Sequence, residues 1–240
     1  MTRTISGLGT RGVVVAQWIR ERIINGTFAP EEHLQEQVLA EQSGTSRTPV
    51  REALKLMEHE QLVVYSPNRG YVVRRFAIED ITNAFEVRAT LEGMVCRVVA
   101  HRGVSEAGTS MLKRLLRRMQ PIAYSEEWGN EDSLEWFDLN AQFHQVLIEE
   151  ARNPVLADTI QRTQRLPLIF DAQFRLRNPS QVSRLFAAED TQRSYQEHVS
   201  LFALIEERRG IEAEALMRQH IEQSKEAIRA KFAQIYPCAQ

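Results

Sequence analysis

Two cysteines, Cys96 and Cys238, are all that 240 residues carry. They lie far apart and outside any metal-type spacing. A disulfide scaffold and a thiolate metal site are therefore excluded, and a reducing cytoplasm is the expected setting. No apolar run approaches the ~20 residues of a membrane-spanning helix. The opening Met-Thr-Arg-Thr-Ile-Ser-Gly-Leu-Gly has no signal-peptide core. Internal repeats and low-complexity segments are missing too. So is any excess of positive charge: 30 Lys and Arg stand against 32 Asp and Glu, a net of −2, which rules out polyanion binding by bulk charge. What is present is 43% hydrophobic residue, enough for a good core in one or two domains.

The charge is uneven. Residues 1–75 carry 10 Lys/Arg against 8 Asp/Glu, and the remainder 20 against 24. A nucleic-acid footprint would have to be a local stripe in the first third. That third contains Ser43 to Leu62, around which the chain is organised. Ser-Gly-Thr is a turn signal. Ser46 stands at a helix N-cap position, where its hydroxyl can accept an orphan N–H. Pro49 falls in the first turn, where its missing N–H costs nothing. Val50, Ala53, Leu54 and Met57 then recur at helical spacing, while Arg47, Arg51 and Lys55 form a cationic face. Arg and Thr on the first turn of a helix suit the major groove, where Arg forks onto guanine. A solvated surface helix has the same pattern.

The flanks favour the groove. Leu34, Val38, Leu39 and Ala40 define a preceding amphipathic helix that stops at Ser43-Gly44, the layout of a helix-turn-helix. Upstream, Val14, Val15, Trp18, Ile19 and Ile23 predict a first helix ending near Asn25-Gly26, with residues 1–9 as a frayed arm. Downstream, Leu62-Val63-Val64-Tyr65 and Tyr71-Val72-Val73 flank a Pro/Asn/Gly loop, a hairpin with Arg69 at its tip. Arg74-Arg75-Phe76-Ala77 is a short boundary whose arginines suit either phosphates or solvent. After Ile78 every long stretch is helical in period: about 79–102, 105–122, 131–151, 153–174, 188–209 and 210–235, with breakers at Gly103, Pro121, Asn153-Pro154, Asn178-Pro179 and Gly210. The expected fold is mainly α: a winged helix-turn-helix over 1–75 and an all-α bundle of six or seven helices over 76–240.

Three of the six histidines invite a site. His144 follows Asn140 by one helical turn, so the two side chains share a face. His198 and His220 fall on two further helices, and a bundle can gather such side chains around a metal. Scattered, satisfied histidines are the other reading. His33, His59 and His101 fit surface or packing roles.

These residues resemble the GntR-type bacterial transcription regulators. Leu39-Ala40-Glu41, Ser46 to Leu54 and Asn68-Arg69-Gly70 are similar to the family's winged domain across residues 10–75. Phe85 to Glu92, Phe143-His144, Arg152-Asn153-Pro154 and Glu197-His198 are similar to the helical effector domain of its FadR-type (FCD) branch. The resemblance implies DNA contacts from Gln37, Ser46, Arg47, Thr48, Arg51, Arg69 and Gly70. Some members carry Arg at the place of Gln37. Glu31 and Gln61 stand where the family usually has Gly. The resemblance also implies a divalent metal, zinc, nickel or similar, on Asn140, His144, His198 and His220. Neutral imidazoles and an amide cancel none of the ion's charge. A buried ion so held draws an anion to complete its shell, so a small carboxylate effector is expected. Arg88 is either a bidentate clamp on that carboxylate or the ion-pair partner of Glu92 or Glu86.

The function implied is a cytoplasmic, homodimeric transcription regulator on a pseudo-palindromic operator, with no membrane partner and no catalytic residues. It would act as a repressor responding to a small organic acid at the metal. Two other readings remain: a pure metal-sensing regulator, and a metal-dependent enzyme built on the histidines. The second leaves the DNA-reading domain unexplained and has no evident general base.

Overall fold

The computed structural model describes residues 10–24, 27–75, 78–163 and 188–235. Among these are nine helices and one two-stranded sheet. They fall into two compact units, one ending before residue 76 and one beginning after it. The first nine residues, Cys238 and the Asn178-Pro179 break lie outside the described residues.

The first unit contains α1 (Thr10–Ile24), α2 (Glu36–Ser43), α3 (Arg47–His59), β1 (Val63–Ser66) and β2 (Gly70–Val73). Its core forms from the predicted stripes: Val15, Ile19 and Ile23 of α1, Leu39 of α2, and Val50, Ala53, Leu54 and Met57 of α3. The α2–α3 turn depends on Gly44, which closes α2 in the left-handed region at φ 65°. A side chain there would be strained, whereas Gly enters it freely. Ser46 occupies the N-cap of α3 with extended backbone, but its hydroxyl makes no capping bond. The capping expected of it is thus not realised, and the hydroxyl stays exposed beside Arg47.

The hairpin pairs Val63 with Val73 and Tyr65 with Tyr71. Residues 31–34 run beside β2 as a third, irregular strand: Leu34 N–H donates to Tyr71 O at 2.9 Å and His33 bridges Val72. Glu31 and Gln61, which replace the family's glycines, both sit at positive φ, 68° and 59°. The glycine preference is thus a backbone requirement that these side chains meet under strain.

The second unit contains α4 (Ile78–Arg102), α5 (Glu106–Ala123), α6 (Asn130–Glu150), α7 (Pro154–Thr163), α8 (Ala188–Glu206) and α9 (Gly210–Ile235). Six helices are thus described. The expected stretch 153–174 is helical to Thr163, and its remainder lies outside the described residues. Pro121 does not end α5, as the sequence suggested; it sits in the last turn, which runs to Ala123. A proline there loses a single backbone bond at a fraying end.

Helices α4 and α9 lie antiparallel, tied by Arg97–Glu214 at 2.8 Å and Lys225–Glu86 at 3.3 Å. Gly93 lets them approach closely: a Cβ there would meet Arg218 Cγ at 2.8 Å. Ser105 caps α5 by accepting Gly108 N–H at 3.0 Å and donates its hydroxyl to Glu150 at 2.6 Å, joining α5 to α6.

Candidate metal centre and nucleic-acid interface

The bundle gathers three histidines from three helices. His144 of α6, His198 of α8 and His220 of α9 are all buried, and each offers a ring nitrogen within 4.8 Å of the others. Phe143 packs against the His198 ring at 4.5 Å and Trp136 lies at 6.3 Å, so apolar groups wall the cluster. Asn140 lies one turn before His144 on α6, half-buried.

Two carboxylates stand behind the imidazoles. Glu92 of α4 accepts from His144 Nδ1 at 2.5 Å, and Glu197 of α8 accepts from His220 Nδ1 at 2.7 Å. An ionised carboxylate can only accept, so each ring places an N–H on Nδ1 and leaves Nε2 as the nitrogen on offer to a metal. His198 Nε2 lies 3.4 Å from His144 Nε2, and His198 Nδ1 has no partner. Burial pushes the His198 pKa well below its ordinary value, helped by His220 and His144. Burial also lowers that of His220, against the opposing pull of Glu197.

The donor set is one that could hold a divalent ion. Two imidazole nitrogens at ~2.0–2.1 Å from a tetrahedral ion stand ~3.3–3.4 Å apart, the separation seen between His198 and His144. Metal-bound histidines also characteristically give their other N–H to a carboxylate, as His144 and His220 do here. His144, His198 and His220 would hold the ion, with Asn140 the neighbouring oxygen donor on α6. The ion would supply an electrophilic centre for an anionic oxygen.

Arg88 is paired, as one of the two sequence readings had it. Its Nε donates to Glu92 Oε1 at 2.8 Å, and both groups are buried. Glu86 pairs with Lys225 instead. Burial alone would raise the Glu92 pKa, but Arg88 and His144 outweigh it and pull it down to about 2. A chain Arg88–Glu92–His144 therefore links α4 to the cluster. The two carboxylates also amend the charge argument. A divalent ion, Glu92, Glu197 and Arg88 sum to a net of about one positive charge, half of what the neutral ligands alone would leave.

In the first unit, Ser46, Arg47, Thr48 and Arg51 all lie exposed on the first turns of α3, opposite the buried stripe. Arg69 is exposed at the wing turn, where its N–H donates to Ser66 O at 3.1 Å. Gly70 follows at φ 75° and packs under His33. Gln37 is exposed on α2 and donates to Glu41 at 3.3 Å. Sequence reasoning missed Glu36 beside it. The Glu36 carboxylate holds Arg51 at 2.7 Å and Arg47 at 3.0 Å. It also missed Glu197 as a partner of His220 and Glu92 as one of His144. Nothing local marks those pairings, which span 23 and 52 residues.

A winged helix-turn-helix with an arginine-bearing helix exposed on it, followed by a helical unit around a buried polar cluster, defines a DNA-binding regulator. Comparison with known proteins agrees. Residues 12–73 match the model of bacterial regulatory proteins of the gntR family, and residues 83–223 match the FCD domain. The chain therefore belongs to the GntR family of transcription regulators, in the branch with an FCD domain. It is 28% identical to the HTH-type transcriptional repressor GlaR of Escherichia coli K12 over 208 residues, 85% of this chain and 90% of that protein. It is also 28% identical to the HTH-type regulator YdhC of Bacillus subtilis, over 62% of this chain and 64% of that protein. The Escherichia coli structure McbR/YncC shares the fold, with a TM-score of 0.57 at 18% identity over 95% of this chain and 98% of that one. GlaR and YdhC are named as transcriptional regulators, in keeping with the two family matches, and the chain is a transcription regulator rather than an enzyme. No described helix is long and apolar enough to cross a membrane.

Proposed function

We propose that this regulator is a metal-assisted sensor of a small organic acid, and that it represses transcription from a pseudo-palindromic operator. The DNA-reading domain spans residues 1–75 and the sensing and dimerisation domain residues 76–240. The protein works in the cytoplasm as a homodimer, because half-sites about one helical turn apart are read by paired helix-turn-helix units. Arg47, Thr48 and Arg51 read the major groove, helped by Gln37 and Ser46. Arg69 and Gly70 serve the wing.

The observation that carries the sensing role is the buried trio of imidazoles, two of them backed by carboxylates. His144, His198 and His220, with Asn140, hold a divalent ion of the zinc or nickel kind. The remaining net positive charge in a buried site favours an anionic oxygen in the open coordination position. Arg88 acts on that site through Glu92 and His144, keeping the ring aimed. Carboxylate binding shifts the equilibrium between DNA-binding and non-binding arrangements of the dimer, a coupling free energy between two sites.

The test uses the His198→Ala and His220→Ala proteins. Each should lose the metal by elemental analysis and lose any response of DNA binding to a carboxylate panel. Basal DNA binding should persist, since neither residue lies in the winged unit. Full metal content in both variants contradicts the site. A wild-type protein whose DNA binding follows zinc alone, and ignores every carboxylate, supports the pure metal sensor instead.

A further inference from the structure

We propose that Glu36 is the positioning residue of the DNA-reading face, holding Arg47 and Arg51 for base contact and setting a penalty on indiscriminate phosphate binding. The inference rests on α3 being the recognition helix and adds to it a residue from α2.

One oxygen of Glu36 receives three N–H groups. Arg51 Nε lies at 2.7 Å, Arg47 Nη2 at 3.0 Å and Arg47 Nε at 3.3 Å from Oε2. The two arginine side chains are 57% and 59% exposed, the carboxylate 24%. The cations are therefore at the surface where DNA would lie, and their anchor is set back beneath them. Glu36 is the first residue of α2, and that helix is held by buried Leu39 and Ala40. The anchor is thus fixed relative to α3 by the core. Burial alone would raise the Glu36 pKa, but the bonds and charges of Arg51 and Arg47 hold it below the ordinary range, so the carboxylate stays ionised.

The atoms used in the pair matter. Glu36 engages Arg51 by Nε alone and leaves both Nη groups outside the bond. Those two nitrogens are the fork that meets O6 and N7 of guanine. An unanchored arginine samples many rotamers and meets phosphates wherever it finds them, which is the sequence-independent part of binding. Held by its inner edge, the same arginine presents its fork at one place. The carboxylate also discriminates by repulsion. When either arginine leaves Glu36 for a phosphate, an anion is left facing the DNA backbone. Wrong registers are disfavoured as well as the right one favoured, which is how specificity is commonly built. Two cations sharing one anion still leave a net positive face, so DNA is attracted overall.

The experiment uses the full-length protein and two duplexes. One is selected by the wild-type protein from a random pool, and the other is a scrambled duplex of the same length. Binding is measured across a salt series for wild type, Glu36→Gln and Arg51→Ala, with melting curves for each. Glu36→Gln should weaken the selected duplex by about fivefold or more, while the scrambled duplex binds as well as before or better. Its salt slope on scrambled DNA should steepen by about 0.9, one further phosphate contact. A purely structural Glu36 would lower the melting temperature and weaken both duplexes alike, and that result overturns the proposal. Unchanged selectivity with an unchanged salt slope overturns it equally. Arg51→Ala separates the two layers. If it leaves selectivity intact, the recognition-helix reading itself fails. If it abolishes selectivity while Glu36→Gln does not, only the role of Glu36 fails.

Discussion

Replacing Glu92 with Gln tests whether the carboxylate behind His144 serves the fold or the metal. Gln has the same shape but no charge. It leaves the Arg88 guanidinium buried without the carboxylate that now lies 2.8 Å away. Removing one partner of a buried ion pair costs ~3–5 kcal/mol, and the amide oxygen can still accept one bond, so the lower end is expected. Against a domain stability of ~5–15 kcal/mol the chain should still fold at room temperature. The metal effect is separate. Losing the group that fixes a ligating histidine typically weakens metal binding about 10–100-fold. The double variant Arg88→Met, Glu92→Gln distinguishes the two effects. It removes the cation together with its carboxylate, so urea unfolding in chelator should return to within ~1 kcal/mol of wild type. Zinc affinity by calorimetry should stay about 10–100-fold down. Wild-type zinc affinity in the double variant refutes the reasoning and makes Glu92 the counter-ion of Arg88 alone.

Three further outcomes follow from the same geometry. Asn140→Asp adds a negative charge beside the histidines, so calorimetry should show tighter metal binding and weaker binding of carboxylates. Tighter carboxylate binding contradicts the charge argument. Glu31→Gly should raise stability by ~0.5–1 kcal/mol in urea unfolding, because relief of ~1–2 kcal/mol of left-handed strain exceeds the ~0.5–1 kcal/mol entropy cost of Gly. Gln61→Gly should gain less, since it also loses the 3.1 Å bond from Arg74. A fragment lacking residues 79–240 should bind the selected duplex far more weakly than the full chain, and full affinity in gel shift contradicts dimerisation through the second domain.

Local chemistry is largely legible in the amino-acid sequence. Gly44 ends α2 because only a residue tolerant of positive φ closes that turn. Val50, Leu54 and Met57 face inward because their spacing permits one buried face, and that leaves Arg47 and Arg51 outside. The hairpin follows from two β-prone runs around Pro67-Asn68-Arg69. Periodicity places His144, His198 and His220 each on a helix, and the family pattern suggests their common purpose. Pro121 misleads, because a proline in the last turn forfeits only its own N–H bond and the helix runs on to Ala123.

Tertiary structure alone decided which charges meet. Glu92 serves His144 across 52 residues and Glu197 serves His220 across 23. The pairings depend on how α4 packs on α6 and α8 on α9, which a helical period does not encode. Arg88 could have faced a ligand or Glu92 from its sequence position. The structure pairs its Nε with Glu92 in a buried setting, where a desolvated cation is held by its nearest carboxylate. Glu36 reads locally as an ordinary first-turn acid of α2, favoured there by the helix dipole. Only the crossing of α2 and α3 brings it under two arginines, 11 and 15 residues further on. Periodicity determines which face a side chain occupies, whereas the packing of one face on another determines what it touches.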